Sequence, residues 1–280
     1  MRGASRASYA ELRERLAVVL TQPTGPDRRP TTAAPVAQQT GDELFAVTRL
    51  LDSEHGLRRA LSDTSREGAE KADVMRRLLH GKVSAVTEEL AAEAAAGKWA
   101  TSGDFSDAIE QLAIESLTVA AQFGGTLDDL EDDLFRFGRV VSGQPGLREA
   151  LTGPADTAAK ESLLSNLLSR KVSAPSLALM TQLLTHTRGR SPQAALDLAA
   201  GIAAQRRQQL IAVVRVAVNL TAAQRQRLVT ALTRAYGQGV HLNVVHDPSV
   251  VGGMSVQIGD ELIDGTASTR LSDVQRKLAG

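Results

Sequence analysis

The stretch "DPSVVGGMSVQIGDELIDGT", Asp247 to Thr266, sets two adjacent glycines, a Gly-Asp step and an Asp-Gly-Thr step among short apolar alternations. Residues of these types so close together suit a phosphate cradle, a metal site or a tight hairpin. A phosphate loop needs G-x-x-x-x-G-K-[ST], a context absent around Gly252-Gly253, while Gly81-Lys82 and Gly97-Lys98 lack the flanking glycine and hydroxyl. Gly237-Gln238-Gly239 lies at a helix end before a strand, the reverse of the dinucleotide fingerprint. His241, His246, Asp247 and Asp264 are conceivable metal ligands, but His241 and His246 fall out of step on a strand and face opposite sides. No H-E-x-x-H pair and no G-x-S-x-G elbow occurs. The stretch therefore reads as a glycine-punctuated hairpin whose carboxylates form turns. No catalytic, cofactor-binding or metal role is assigned to any residue.

The elements that carry this hairpin come from a chain of 280 residues, a length suited to about two domains. Lys+Arg and Asp+Glu both number 32, so no net field points to nucleic acid or an anionic membrane. Aromatics make up 3%, too few and too scattered for a base-stacking platform. The absence of Cys excludes disulfides, thiolate catalysis and thiolate zinc sites. "MRGASRASYAELRERLAVVL" carries Glu and Arg through its apolar positions, unlike a signal peptide, and no run reaches the ~18 apolar residues of a membrane span. The expected setting is the cytosol, or attachment to something outside it.

Most of the chain reads as helix. Leu12, Leu16 and Val19-Leu20 recur at helical spacing before "TQPTGPDRRPTTAAPVAQQTG", residues 21–41, whose Pro and Thr content and lack of period predict a linker. Helix is expected to resume at Asp42. Leu130, Leu134, Phe137 and Val141 form a later stripe, and short helices continue to about Gln205. Trp99 is expected to be a packing anchor.

A repeat runs through this helical part. "DELFAVTRLLDSEHGLRRAL", 42–61, aligns with "DDLFRFGRVVSGQPGLREAL", 132–151, with nine identities in twenty, among them Phe45/Phe135, Arg49/Arg139 and Gly56/Gly146. Average composition would give about one or two. After a one-residue slip Lys71 meets Lys160, and "KVSA" at 82–85 meets "KVSA" at 171–174. Generic amphipathic helices would match leucines but not glycines, arginines and KVSA, so the pattern predicts a duplicated bundle, copies 1–104 and 105–205.

After Gln205 the period changes. "LIAVVRVAV" is short and β-branched, Thr221 with Gln224 forms a capping box, and "VHLNVV", "MSVQI" and "ELID" follow as strands, the last two joined by Gly259-Asp260. A last helix starts at Thr266 or Ser268. Residues 206–280 are thus a small α/β domain of order β-α-β-β-β-α. The fold class is mainly α, a duplicated helical bundle with a small C-terminal α/β domain.

These residues resemble the C-terminal signature of the delta subunit of F-type ATP synthase, the oligomycin-sensitivity-conferring family. Its pattern falls here on Asp247, Pro248, Gly252, Gly253, Gly259, Asp260, Asp264, Gly265, Thr266 and Leu271. Residues from about 105 to 280 look like one complete delta subunit, and the first ~100 depart from a short one as a second bundle copy. The resemblance implies a non-catalytic part at the cytoplasmic face of the cell membrane, peripheral and without a span. It would join the catalytic head to the b-type stalk and resist rotor torque. Its bundle would receive the N-terminal segment of the alpha subunit, and its C-terminal domain the end of b. Nucleic acid and cofactors are not expected. The rival classes are a generic helical adaptor, which leaves the signature unexplained, and a nucleotide-dependent enzyme, which lacks a phosphate loop.

One stretch adds detail. From Trp99 to Phe135 there is no Lys or Arg, against nine acids including Asp107, Glu110 and Glu115. Within it Ile109, Leu112, Ala113, Leu117 and Ala120 share one side, with Ile114 and Val119 off that stripe. So wide an apolar arc is covered on more than one side. The pattern alone fits either a fully buried helix with a solvated acidic rim or a groove for a partner helix; the resemblance points to a groove for alpha.

Overall fold

The structure, a computed structural model, describes residues 1, 3–21, 33–207, 210–218, 220–236, 239–247, 250, 253–258 and 261–264. It falls into two compact units, Met1–Ala204 and Gln205–Gly280. The first holds helices α1 (Ala4–Thr21), α2 (Ala33–Ser53), α3 (His55–Ser62), α4 (Gly68–Leu79) and α5 (Ala85–Ala96). It continues with α6 (Ser102–Phe123), α7 (Leu127–Gly143), α8 (Pro145–Thr152), α9 (Thr157–Leu168), α10 (Ala174–Thr185) and α11 (Pro192–Arg207).

The start of α2 corrects the expected linker. Residues 33–41 are helical, so helix resumes nine positions before Asp42. Pro35 sits in the first turn, where a missing N–H leaves no intrahelical bond unmade. Ala37 and Thr40, which looked like linker residues, are buried. Polar composition alone concealed a face that tertiary packing covers.

That packing is against α6. The two helices run antiparallel, with Ser116 donating to the Ala37 carbonyl at 2.7 Å near one end and Arg188 bridging Asp52 to Glu110 and Ser106 near the other. Gly41 lets them approach closely. A Cβ there would lie 2.6 Å from Leu117 Cδ2 and 3.1 Å from the Ala113 carbonyl oxygen. The boundary expected at 104/105 falls inside α6, whose residues share one core with α1, α2 and α5. Trp99 is buried, donates from its ring nitrogen to the Ala94 carbonyl at 2.8 Å, and lies 5.9 Å from the Phe105 ring.

Matched positions of the repeat make matched contacts. Glu43 of α2 accepts from the Ser84 backbone N–H at 3.0 Å and from the hydroxyls of Ser84 and Thr87. Asp133 of α7 accepts from the Ser173 N–H at 3.1 Å. Ser84 and Ser173, the two KVSA serines, each cap the helix that comes after them, α5 and α10. Burial opposes ionisation of Glu43, but the hydrogen bonds from Ser84 and Thr87 outweigh it and hold its pKa below the usual range. The inward faces agree too, with Leu44, Val47 and Leu51 buried on α2 and Leu134, Phe137 and Val141 on α7.

The second unit holds β1 (Leu210–Val216), α12 (Ala222–Tyr236), β2 (Val240–His246), β3 (Met254–Ile258) and β4 (Glu261–Asp264). Thr221 and Gln224 exchange the two bonds of a capping box at 2.8 and 3.2 Å. The strands form one sheet in the order β2-β1-β3-β4, with β1 parallel to β2 and antiparallel to β3. Ala212, Val214 and Val216 alternate into a core with Leu232, Leu242, Val256 and Ile258. Ile258 pairs with Glu261, so β3 and β4 are a hairpin joined by two residues. The last helix expected after Thr266 lies outside the described residues.

Candidate functional site

The acidic, cation-free stretch is where sequence and structure differ most usefully. Fifteen of the 22 residues of α6 are buried. Ile109, Leu112, Ala113 and Leu117 have no exposed surface and Ala120 is 5% exposed. The helix seated on this stripe is the chain's own α2, so the stripe is not an open groove. Tertiary packing within one chain uses the same complementarity as a partner helix, and periodicity cannot tell them apart.

Two carboxylates of the acidic stretch are not part of a solvated rim, although Asp128, Asp129 and Asp132 are exposed. Glu110 and Glu115 are 2% and 5% exposed. Burial of an ionised carboxylate demands a partner, and the partners come from far along the chain. Arg190 and Arg188 both bond Glu110, the latter at 2.7 Å. Arg188 also reaches Asp107 at 2.9 Å, Asp52 at 2.5 Å and the Ser106 hydroxyl at 2.6 Å. Arg58 joins Asp52 at 3.0 Å. Five residues after Glu110, Arg13 pairs with Glu115 at 2.5 Å, and Tyr9 donates to the same carboxylate at 2.7 Å. Burial, then the neighbouring Glu115 charge, pushes the Tyr9 phenol upward, so it stays a neutral donor.

Arg188 sits on the short connection between α10 and α11 with φ of 54°, followed by Gly189 at 76°. A non-glycine residue in the left-handed region costs roughly 1–2 kcal/mol. Burial opposes the charge of its guanidinium, but Glu110, Asp52 and Asp107 more than restore it and raise its pKa. One residue of the α10–α11 connection thereby ties α2 to α6. Composition held a clue to Arg188 and Arg190: an apolar helix carrying Glu110 and Glu115 without a Lys or Arg of its own must draw cations from elsewhere if those carboxylates are buried.

Beside the cluster lies a cleft of about 430 Å³ lined by Phe45, Arg49, Asp52, Glu110, Gln182 and His186, among others. Arg49 donates to Gln182 at 2.6 Å. Burial, then the Arg49 charge, lowers the His186 pKa. Asp52, Asp107 and Glu110 are each bonded to a guanidinium, so the cluster clamps helices together. Among the described residues no group of three or more His, Asp or Glu could hold a metal ion. No described helix is long and apolar enough to cross a membrane.

Of the C-terminal signature, Asp247 follows β2 and donates its backbone N–H to the Val216 carbonyl at 2.9 Å. Gly253 has φ of 100°, and Asp264 ends β4. Pro248, Gly252, Gly259, Asp260, Gly265, Thr266 and Leu271 lie outside the described residues. The family described as ATP synthase delta (OSCP) subunit matches residues 114–278. The chain belongs to that family. ATP synthase subunit delta of Streptomyces griseus subsp. griseus is 44% identical over 281 residues, covering 100% of both chains. The protein of the same name from Streptomyces coelicolor is 45% identical over 280 residues, covering 100% of this chain and 98% of its own. Both Streptomyces proteins therefore align with the first hundred residues too, which precede the family match. A chain in the cryo-EM structure of the Toxoplasma gondii mitochondrial ATP synthase hexamer aligns over 60% of this chain and 95% of its own at 18% identity. The TM-score of that alignment is 0.28.

Proposed function

We propose that this delta-family chain is the non-catalytic subunit that joins the alpha/beta head of F-type ATP synthase to the b-type peripheral stalk. There it resists rotor torque during proton-driven ATP synthesis, bound peripherally at the cytoplasmic face of the cell membrane. The helical unit receives the N-terminal segment of alpha and the α/β unit receives the C-terminal end of b. The observation that carries this reading is the end-to-end match to relatives named ATP synthase subunit delta. The matched clasps of Glu43 and Asp133 support a duplicated bundle as its framework. A buried arginine cluster across the repeat copies suits a part that must not yield under load. Because α2 fills the α6 stripe, that stripe is not assigned to alpha.

The test is purification of the synthase with a tagged chain, full-length or lacking residues 205–280. Full-length chain should bring down alpha and b. The shortened chain should keep alpha and lose b, since each unit has a hydrophobic core of its own. A shortened chain holding b at full-length affinity would overturn the assignment, and a full-length chain bringing down neither would favour the adaptor alternative.

A further inference from the structure

We propose that the cleft beside the Arg188 cluster is a binding site for a phosphate group, held by Arg49 together with Gln182 and Arg58. Its volume of about 430 Å³ lies within the roughly 300–1,000 Å³ of small-molecule sites. Helix α2 contributes Phe45 and Arg49 to the walls, α3 contributes Arg58, and α10 contributes Gln182. No sequence motif announces such a site, because its walls come from helices distant along the chain.

A count of charges singles out Arg49. Three carboxylates of the neighbouring cluster, Asp52, Asp107 and Glu110, face three guanidiniums, Arg58, Arg188 and Arg190. Arg49 is a fourth guanidinium, half-buried, with no carboxylate partner among the described residues. Its one hydrogen bond runs from Nη1 to the neutral Gln182 carboxamide oxygen at 2.6 Å. A guanidinium carries five N–H donors, so most of them have no protein acceptor. Its twin in the repeat, Arg139, is exposed, and water compensates its charge. A charge partly withdrawn from water without a counter-charge is costly, and an anion removes that cost. The same surplus is felt by His186, whose pKa burial and then the Arg49 charge lower. Asp52 and Glu110 also line the cleft, but Arg58, Arg188 and Arg190 hold their oxygens.

Two further donors lack acceptors. The Gln182 carboxamide takes the Arg49 bond on its oxygen, which leaves its NH2 without a partner among the described residues. Arg58 spends Nη1 on Asp52, and its Nε is buried without a hydrogen-bond partner. Unpaired donors on three helices favour an acceptor with several oxygens. A phosphate group presents at least three, set tetrahedrally, whereas a carboxylate presents two in one plane. A water molecule takes about 30 Å³, so the cleft has room beside the phosphate for the organic body of an ester, with Phe45 as its apolar wall.

The test is calorimetric titration of the full chain, at constant ionic strength, with inorganic phosphate, phenyl phosphate and acetate. Urea midpoints read by Trp99 fluorescence accompany it. Phosphate should bind saturably at one site and raise the midpoint with the same concentration dependence. Acetate should bind several-fold more weakly. Tighter binding of phenyl phosphate than of phosphate assigns the site to an ester; equal or weaker binding assigns it to free phosphate. Arg49→Met should weaken phosphate binding roughly tenfold or more. Its midpoint without phosphate should stay near the parent's, because Arg49 has no carboxylate to lose. Arg49→Lys keeps the charge but loses the planar fork, so its affinity should fall between the two; it also serves where Arg49→Met does not fold. Arg139→Met, at the exposed twin, should bind like the parent. The absence of saturable binding, acetate binding as tight as phosphate, or an affinity unchanged by both Arg49 substitutions overturns the proposal.

Discussion

Replacing Arg188 by Met tests whether the buried cluster holds the bundle together. The guanidinium, 14% exposed, is withdrawn from Asp52, Asp107 and Glu110. Removing one partner of a buried ion pair costs roughly 3–5 kcal/mol, because a charge is left behind in a poor solvent. Retained contacts reduce that figure. Arg190 still holds Glu110, and Arg58 still holds Asp52. Asp107, 47% exposed, rehydrates and adds little. The backbone cost at Arg188 is common to both side chains and cancels. The remaining loss is about 2–3 kcal/mol, dominated by Glu110. Trp99, the single tryptophan, is buried in the helical unit, so its fluorescence in a urea titration reports on that unit alone. Adding Glu110→Gln should return part of the loss, giving a measurable coupling in the double-mutant cycle. About 0.5 M salt should change the deficit little, since screening acts weakly on buried pairs. A loss below about 1 kcal/mol, or one erased by salt, would mean that the cluster behaves as an exposed pair and clamps nothing.

Gly41→Ala places a methyl against Leu117 and the Ala113 carbonyl and should cost about 1–3 kcal/mol by the same Trp99 titration, through forced separation of α2 and α6. A variant as stable as the parent would show that the helices adjust freely. Gly253→Val puts a β-branched side chain at φ of 100° and should destabilise the α/β unit by roughly 1–3 kcal/mol; thermal melting by circular dichroism of the strand signal checks this. His186, whose pKa burial and then Arg49 hold down, is neutral in the fold, whereas an unfolded histidine titrates near 6.5. The unfolded chain then binds the proton first. Stability should fall as pH drops from about 6.5 through the lowered folded pKa and level off below it. Urea midpoints for the parent and His186→Asn across that window should converge toward acid; parallel curves would contradict the sign.

Local chemistry was legible wherever it was satisfied locally. Thr221 with Gln224, the strand pattern around Val214, and the two-residue step between Ile258 and Glu261 each arise from a few adjacent residues. The apolar arc of α6 was also visible, since two-sided cover leaves a wide stripe. Whose helix provides the cover was not, because Ala37, Thr40 and Gly41 look like linker residues until Leu117 and Ala113 are set against them. Arg188 was hidden for the same reason. Its partners Asp52 and Glu110 lie 136 and 78 positions away, and no local period connects them. Burial of Glu110 and Glu115 demands distant cations, and the sequence does not name them.

The antiparallel seating of α2 on α6 has a mechanical meaning. Pull the two helices along their axes, and the contacts at Ala37, Gly41 and Asp52 are strained together, sharing the force. Peel them apart from one end, and each turn gives way before the next is loaded, so rupture proceeds at far lower force. The Arg188 bridge closes the Asp52 end, where such peeling would begin. A tether built this way is stiff against sliding and protected at one margin against unzipping, and its weak direction is a sideways tug at the Ala37 end.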